Sequence, residues 1–396
     1  MTNTQSSSDD QTLITDADAI ASIGARIGKS SRFAIDLEFM SADRFIPDLA
    51  LVQLAWEEEG DLQMVLIDGV DTELAPIFAQ IESDSVLTLA HGAKQDLSLL
   101  GTRYDVKAGA FMDTQIAAAF AGVAEQIGYG NLVDKLLGKK LDKGPQFTDW
   151  MRRPLSAKQL RYALDDVRYL MPVWDELRIR LDRAERKAWA QEESDGMAHA
   201  AATRRPAELA YTAVSGGGSL KGSGLGALRA LAAWRDGLAV SGNIPPSWIL
   251  ADGAAVEICK RNIKTERDLK KVRGVGGATV EKYGPAILRV AAKGRTEPVE
   301  ASGLHQLDPV WQAQAAVITA MVAGRASQVG LPLRTIAAKA DAEALVRHAL
   351  GQLPAEECKL MRGWRADVMG NDALAWLRGD ATVVADPKLG VRVELS

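Results

Sequence analysis

With 396 residues and 42.5 kDa, 47% hydrophobic and 25% charged, the chain is too long for one ordinary core and has the make-up of a globular protein of two or three domains. A net charge of -5 and a pI near 5.6 exclude a globally basic nucleic-acid binder, so any such surface must be local. Two cysteines, Cys259 and Cys358, without metal-ligand spacing argue against a zinc module or a disulfide framework and fit a reducing cytoplasm.

Residues 1–11 are polar and acidic, with neither the basic nor the apolar segment of a signal peptide, and read as a disordered tail. No apolar run reaches membrane-spanning length. A short strand over 12–15 and a helix capped by Asp16 or Asp18, running to Ile27, lead to Arg32-Phe33-Ala34-Ile35-Asp36-Leu37-Glu38-Phe39-Met40. On a strand, residues two apart face the same way, so Asp36 and Glu38 project together. Two carboxylates side by side in an apolar segment are costly unless a cation sits between them.

The runs 49–56 and 62–68 extend this strand into an antiparallel meander. A helix over 72–81 and a buried strand over 85–90 follow, and the strand runs into His91-Gly92-Ala93-Lys94-Gln95-Asp96. That strand-to-helix turn is where α/β proteins place working groups. Asp113 is suited to cap a helix ending at Phe120. After Gly128 and Gly130 come a helix over 131–137 and an irregular segment over 141–154. A long helix from Ser156, kinked or restarted at Pro172, is expected to reach about Glu192. It carries Tyr162 and Asp166 at i and i+4, so phenol and carboxylate share one face. His91 reads as a turn histidine.

Alternation of strands and helices argues for one α/β domain over residues 12–200. The Ala-, Ser- and Gly-rich stretch 201–222 reads as a linker. Helical periods over 223–296 suggest a small bundle, a weaker helical pattern covers 300–385, and 386–396 is left as a tail. Lys260, Arg261, Lys264, Lys270 and Lys271 make a locally basic run that leads to Gly274 and Gly276. Backbone N–H groups of such a glycine turn before a helix suit a phosphate.

Four acids and a tyrosine in this order, within FAIDLEF, LAHGAKQDLSLL and Tyr162-x3-Asp166, resemble the tyrosine-bearing branch of the DEDD superfamily of 3'-5' exonucleases. The stretches 113–119, 128–132, 141–143 and 148–156 further resemble the ribonuclease D family. Leu231-Ala232-Ala233-Trp234-Arg235 and Asn243-Ile244-Pro245-Pro246-Ser247-Trp248 look like a helicase-and-RNase-D C-terminal (HRDC) domain, and 360–365 like a degenerate second copy.

The resemblance implies an α/β ribonuclease H-like exonuclease domain, a mixed sheet flanked by helices, followed by two small all-α HRDC-type bundles. It implies two divalent cations, Mg2+ or Mn2+, held by Asp36, Glu38, Asp96 and Asp166, with Tyr162 orienting the attacking water. A carboxylate set without His or Cys suits such hard ions. The implied substrates are tRNA precursors and other small RNAs, trimmed from the 3' end to 5'-mononucleotides by a cytoplasmic monomer. Phe39 and Met40 would meet the terminal base; Lys94, Asp113, Lys143, Arg152 and Arg153 would lie along the RNA. A Werner-type DNA exonuclease and a catalytically dead nucleic-acid-binding scaffold are the rival readings. All four acids and the tyrosine are present, which argues against the scaffold, and no Gly-x4-Gly-Lys-Ser/Thr helicase loop occurs.

Overall fold

The computed structural model describes residues 13–40, 43–142, 144, 148–299, 307–388 and 390–395. The expected N-terminal tail and Lys143 lie outside these. The first helix, α1 (Ala17–Ile27), is capped by the Asp16 side chain, which accepts from the Ala19 amide at 2.8 Å. Strands β1 (Arg32–Met40), β2 (Asp48–Glu58) and β3 (Asp61–Asp68) form the expected meander. After α2 (Ala75–Ile81), β4 (Leu87–Ala90) runs parallel to β1. Helix α3 (Lys94–Tyr104) is followed by β5 (Phe111–Asp113), a three-residue strand that the sequence did not signal because it is too short for a pattern. The mixed sheet has the order β3-β2-β1-β4-β5.

Phe33, Ile35 and Leu37 point from β1 into one layer with Ile20, Ile77 and Leu97. The opposite face receives α4 (Thr114–Phe120), α5 (Tyr129–Leu137), α6 (Ala157–Arg168) and α7 (Leu170–Arg183). The single long helix expected from Ser156 is thus three, because the chain breaks at Tyr169 and again before α8 (Lys187–Ala202); Pro172 sits in the first turn of α7, where its missing N–H has no helical partner to lose.

The stretch expected as a linker is helical and packed. α8 runs to Ala202, and 3-10 turns over Ala207–Ala213 and Gly217–Ser219 follow. Val214 and Leu220 are buried in the core of the bundle that comes next, and a Cβ on Gly217 would stand 2.9 Å from Leu228. A composition suited to flexibility was overridden by two apolar anchors and a close approach.

That bundle comprises α9 (Gly222–Gly242), α10 (Pro246–Ile249), α11 (Asp252–Arg261), α12 (Glu266–Leu269) and α13 (Gly277–Arg295). A second helical unit holds α14 (Pro309–Val329), α15 (Leu333–Ile336), α16 (Lys339–Ala349), α17 (Gly363–Arg365) and α18 (Asn371–Arg378). The expected C-terminal tail is instead part of a hairpin, β6 (Ala381–Asp386) with β7 (Gly390–Leu395). Val383 pairs with Val393 and both pack on the helices. Ala381, Val383 and Ala385 in one arm and Val391 and Val393 in the other alternate to supply one apolar face, and covering it turns the segment into a ribbon. No described helix is long and apolar enough to cross a membrane.

Candidate active site

Parity on β1 decides the site. Ala34, Asp36 and Glu38 face away from the Phe33 layer, towards α6, and the register slips between Glu38 and Phe39. This bulge leaves Ala50 of β2 without a β1 partner; its carbonyl accepts instead from Gly69 N at 3.0 Å and Arg153 Nη2 at 2.7 Å. Bulges beside working sites re-aim side chains in this way.

α6 supplies the facing wall. Its N-terminus is fixed by a capping box, Ser156 with Gln159, and one turn later Tyr162 donates its hydroxyl to the Asp166 carboxylate. Asp165 is turned aside to accept from Arg168 Nε at 2.7 Å, which leaves Asp166 as the acid of the site. Gly144 lies against the Tyr162 ring so closely that a Cβ there would stand 1.6 Å from Cδ2. Only glycine fits against the ring there.

Asp96 comes from the first turn of α3 and is set by a network around Asp113. The Asp113 carboxylate accepts from Gly92 N at 3.0 Å, Ala93 N at 2.9 Å and Gln115 N at 2.7 Å, tying the turn after β4 to the start of α4. His91 bridges Thr114 Oγ1 and the Ile127 carbonyl, each at 2.9 Å. Burial lowers its pKa.

Ligand oxygens of Asp36, Glu38 and Asp166 lie within 4.8 Å of one another. Asp96 lies near enough for its charge to help raise both Asp36 and Glu38. Burial is the chief cause in every case: it lifts the Asp36 carboxyl well above the usual range, Glu38 to about 8, and Asp96 and Asp166 each to about 7. Mutual repulsion adds to the lift at Asp36 and Glu38, while the Tyr162 hydrogen bond opposes it at Asp166. Four carboxyls gathered this way favour protons or a cation over bare charge. All-oxygen donors fit a hard divalent cation, and this fit rests on the donor set itself. Tyr129 belongs to the same neighbourhood: its hydroxyl accepts from Tyr169 N at 3.1 Å, and its pKa is raised by burial and by the nearby Asp166 and Asp36. Only contacts reveal it, because Gly128-Tyr129-Gly130 reads as a joint in sequence.

Comparison with known proteins decides the family. The family model of 3'-5' exonuclease domains matches residues 11–182, and the HRDC domain model matches residues 224–290. Ribonuclease D of Sphingobium indicum is 34% identical over 375 residues, covering 93% of this chain and 94% of the relative. Ribonuclease D of Acidiphilium cryptum is 31% identical over 388 residues, covering 97% and 96%. This chain belongs to the ribonuclease D family. It is a 3'-5' exoribonuclease with a divalent-metal-dependent type of nuclease domain. The crystal structure of Escherichia coli RNase D shares the fold, with a TM-score of 0.82, 24% identity and coverage of 93% of this chain and 99% of that one.

Two residues expected along the RNA have other tasks in this ribonuclease D fold. Asp113 is 2% exposed and committed to backbone amides. Arg153 binds Asp68 at 2.7 Å through Nε and the carbonyls of Trp150 and Ala50, so it braces the bulge and the approach to α6. A sequence shows the charge of such a residue but not what neutralises it. Phe39 is half-buried and Lys94 exposed, and both line a cleft of about 760 Å3 that reaches Phe45, Arg204 and α9. Met40 is half-buried against the cluster around Trp150, and Arg152 is exposed.

Lys260, Arg261, Lys264, Lys270 and Lys271 are exposed on the first bundle, beside Gly274, with φ +87°, and Gly276, which precedes α13. Arg261 pairs with Glu257 at 2.6 Å and Lys271 with Asp268 at 2.8 Å; among the described residues Lys260, Lys264 and Lys270 make no ion pair.

Proposed function

We propose that Asp36, Glu38, Asp96 and Asp166 hold two divalent cations, Mg2+ or Mn2+, and that the enzyme trims 3' ends of tRNA precursors and other small RNAs to 5'-mononucleotides. The observation that carries the reading is the gathering of three carboxylates within 4.8 Å, with a fourth close by and, among the described residues, no cationic side chain paired with the cluster. Bound there, divalent cations neutralise charge on the attacking and leaving oxygens of a phosphodiester.

The chain's own groups do the rest. Tyr162 Oη, held by Asp166, orients the attacking water; a phenol with pKa near 10 is a poor base at neutral pH, so its part is positioning. Phe39 packs beside the terminal base, and the Lys94 ammonium meets a backbone phosphate. The exposed lysines of the first bundle hold the RNA body, and the second helical unit is a degenerate HRDC copy. Support for that copy is a shared plan: α9 and α14 each have 21 residues and a left-handed C-cap, Asn243 or Gly330. A proline and a four-residue helix then precede α11 and α16 in each unit. Two free cysteines, both buried, suit a reducing cytoplasm, where we place a monomer.

The test is digestion of single-stranded RNA and DNA labelled at either end, with Mg2+, Mn2+ or EDTA, by wild type and by Asp36→Asn. Metal-dependent release of mononucleotides from RNA 3' ends, lost in the variant, is expected. Undiminished cleavage by Asp36→Asn would overturn the assignment of the acids.

A further inference from the structure

Directly across the sheet from Asp36 stands Gln53, its partner in the β1–β2 register. Opposed residues of an antiparallel pair share a face, and their Cβ atoms lie about 4.5–5.5 Å apart, within reach of a glutamine side chain. Gln53 is 0% exposed, and neither Nε2 nor Oε1 has a hydrogen-bond partner among the described residues. Its neighbours on the other side are apolar: Leu51 and Ala55 flank it on β2 and Leu66 pairs with it on β3, which leaves Asp36 as the polar residue opposite. Helix α6, which carries Tyr162 and Asp166, packs over these three strands, and Ala163 and Leu164 bury against Leu51 and Leu66.

A buried carboxamide with both ends unpaired is expensive, and an apolar side chain of similar shape would remove the cost. Its place, beneath the two elements that bring the acids together, gives the cost a use. We propose that Gln53 is a positioning residue: in the metal-loaded enzyme its Nε2 donates to the Asp36 carboxylate and holds that group in its metal-binding orientation. Gln53 itself touches neither metal nor RNA. This inference rests on the metal-site reading above.

The deciding variant is Gln53→Met, which keeps length and removes both polar ends. Melting without metal should be as high as or higher than in wild type. Mn2+ binding by calorimetry should weaken about 10-fold or more, the range seen when the hydrogen-bond partner of a metal ligand is removed. Turnover should fall while KM for RNA stays. A Gln53→Met protein that binds Mn2+ and cleaves like wild type overturns the proposal. Should the variant fail to fold, wild type labelled with 15N-glutamine gives the answer. The Gln53 side-chain NH2 resonances should shift on adding Mg2+, and unmoved resonances overturn the proposal. Wild type that binds no Mn2+ would bring down the metal-site reading itself, and this inference with it; that failure is seen in the wild-type titration before any variant is compared.

Discussion

The two helical units follow one plan and are attached to the nuclease in opposite ways. The first touches it lightly: the Asn243 carboxamide accepts from Ile46 N at 2.7 Å and donates to Ile46 O at 3.3 Å, while Arg204 pairs with Asp236 and lies over the Phe45 ring. The second shares a core with the nuclease: Ile318, Val322, Leu345 and Met369 belong to the same apolar cluster as Met112, Val167 and Leu177. Trp364 stacks on Trp189 and meets Phe120 edge-on; Arg365, beside it, pairs with Glu193 and donates to the Ile336 carbonyl at 2.9 Å. The contrast is plain in two tryptophans: Trp248 of the first unit is 61% exposed, whereas Trp364 of the second is 3% exposed. Apolar side chains turned towards the nuclease make the second unit a buttress. The first keeps exposed lysines and the open Trp248 ring and remains an arm, suited on the function proposed above to phosphates and bases.

Removing the buttress contacts should have the largest effect. Trp364→Ala empties a site lined by two aromatic rings and should cost about 3–5 kcal/mol; Arg365→Ala strands Glu193 and should cost about 3 kcal/mol or more. Thermal or urea unfolding of the whole nuclease measures both, and a melt that changes only for a separate C-terminal transition would break the comparison.

Next comes pH, where the junction and the active site have opposite signs. Glu193 is held below its ordinary pKa by Arg365, so its contribution is present above about pH 4 and is lost as pH falls through the lowered value. Glu38, Asp96 and Asp166 are raised to about 8, 7 and 7, so in metal-free protein their stabilisation is complete below about pH 4 and is lost as pH rises through 7 to 8. Melting temperature without metal should therefore decline from about pH 4 to about pH 8 and level off above. Mn2+ should cancel the decline; a flat profile without metal would contradict the clustering of the acids.

The smallest effect belongs to the latch of the arm. Asn243→Ala should cost about 1 kcal/mol and speed hydrogen exchange at the Ile46 amide, leaving amides around Trp364 untouched.

The catalytic half was legible in the sequence because its signals are local. Alternation on one strand puts Asp36 beside Glu38, and helical spacing puts Tyr162 over Asp166. What stayed hidden depends on partners distant in the chain. Arg153 is structural only because the bulge frees the Ala50 carbonyl and Asp68 lies beneath it. Asp113 caps α4 as its position suggests, yet its bonds to Gly92 and Ala93 exist only once β5 lies beside β4. The stretch after Ala202 has the make-up of a linker, and Val214, Leu220 and the Gly217 contact, with Tyr211 and a Ser215–Asp252 hydrogen bond, bind it down. That one helical unit is an arm and the other a buttress follows from which apolar residues meet the nuclease, and no period in the sequence carries that.

The division of labour between arm and nuclease is tested most directly by RNA binding against salt concentration, measured on Asp36→Asn protein so that substrate survives. With Lys260, Lys264 and Lys270 changed to alanine in that background, the slope of log K against log salt for a 3'-extended tRNA precursor should fall by about 2–3 units. The slope for a short single strand should stay as it was. Equal slopes for the tRNA precursor with and without the three lysines would contradict an arm that holds RNA.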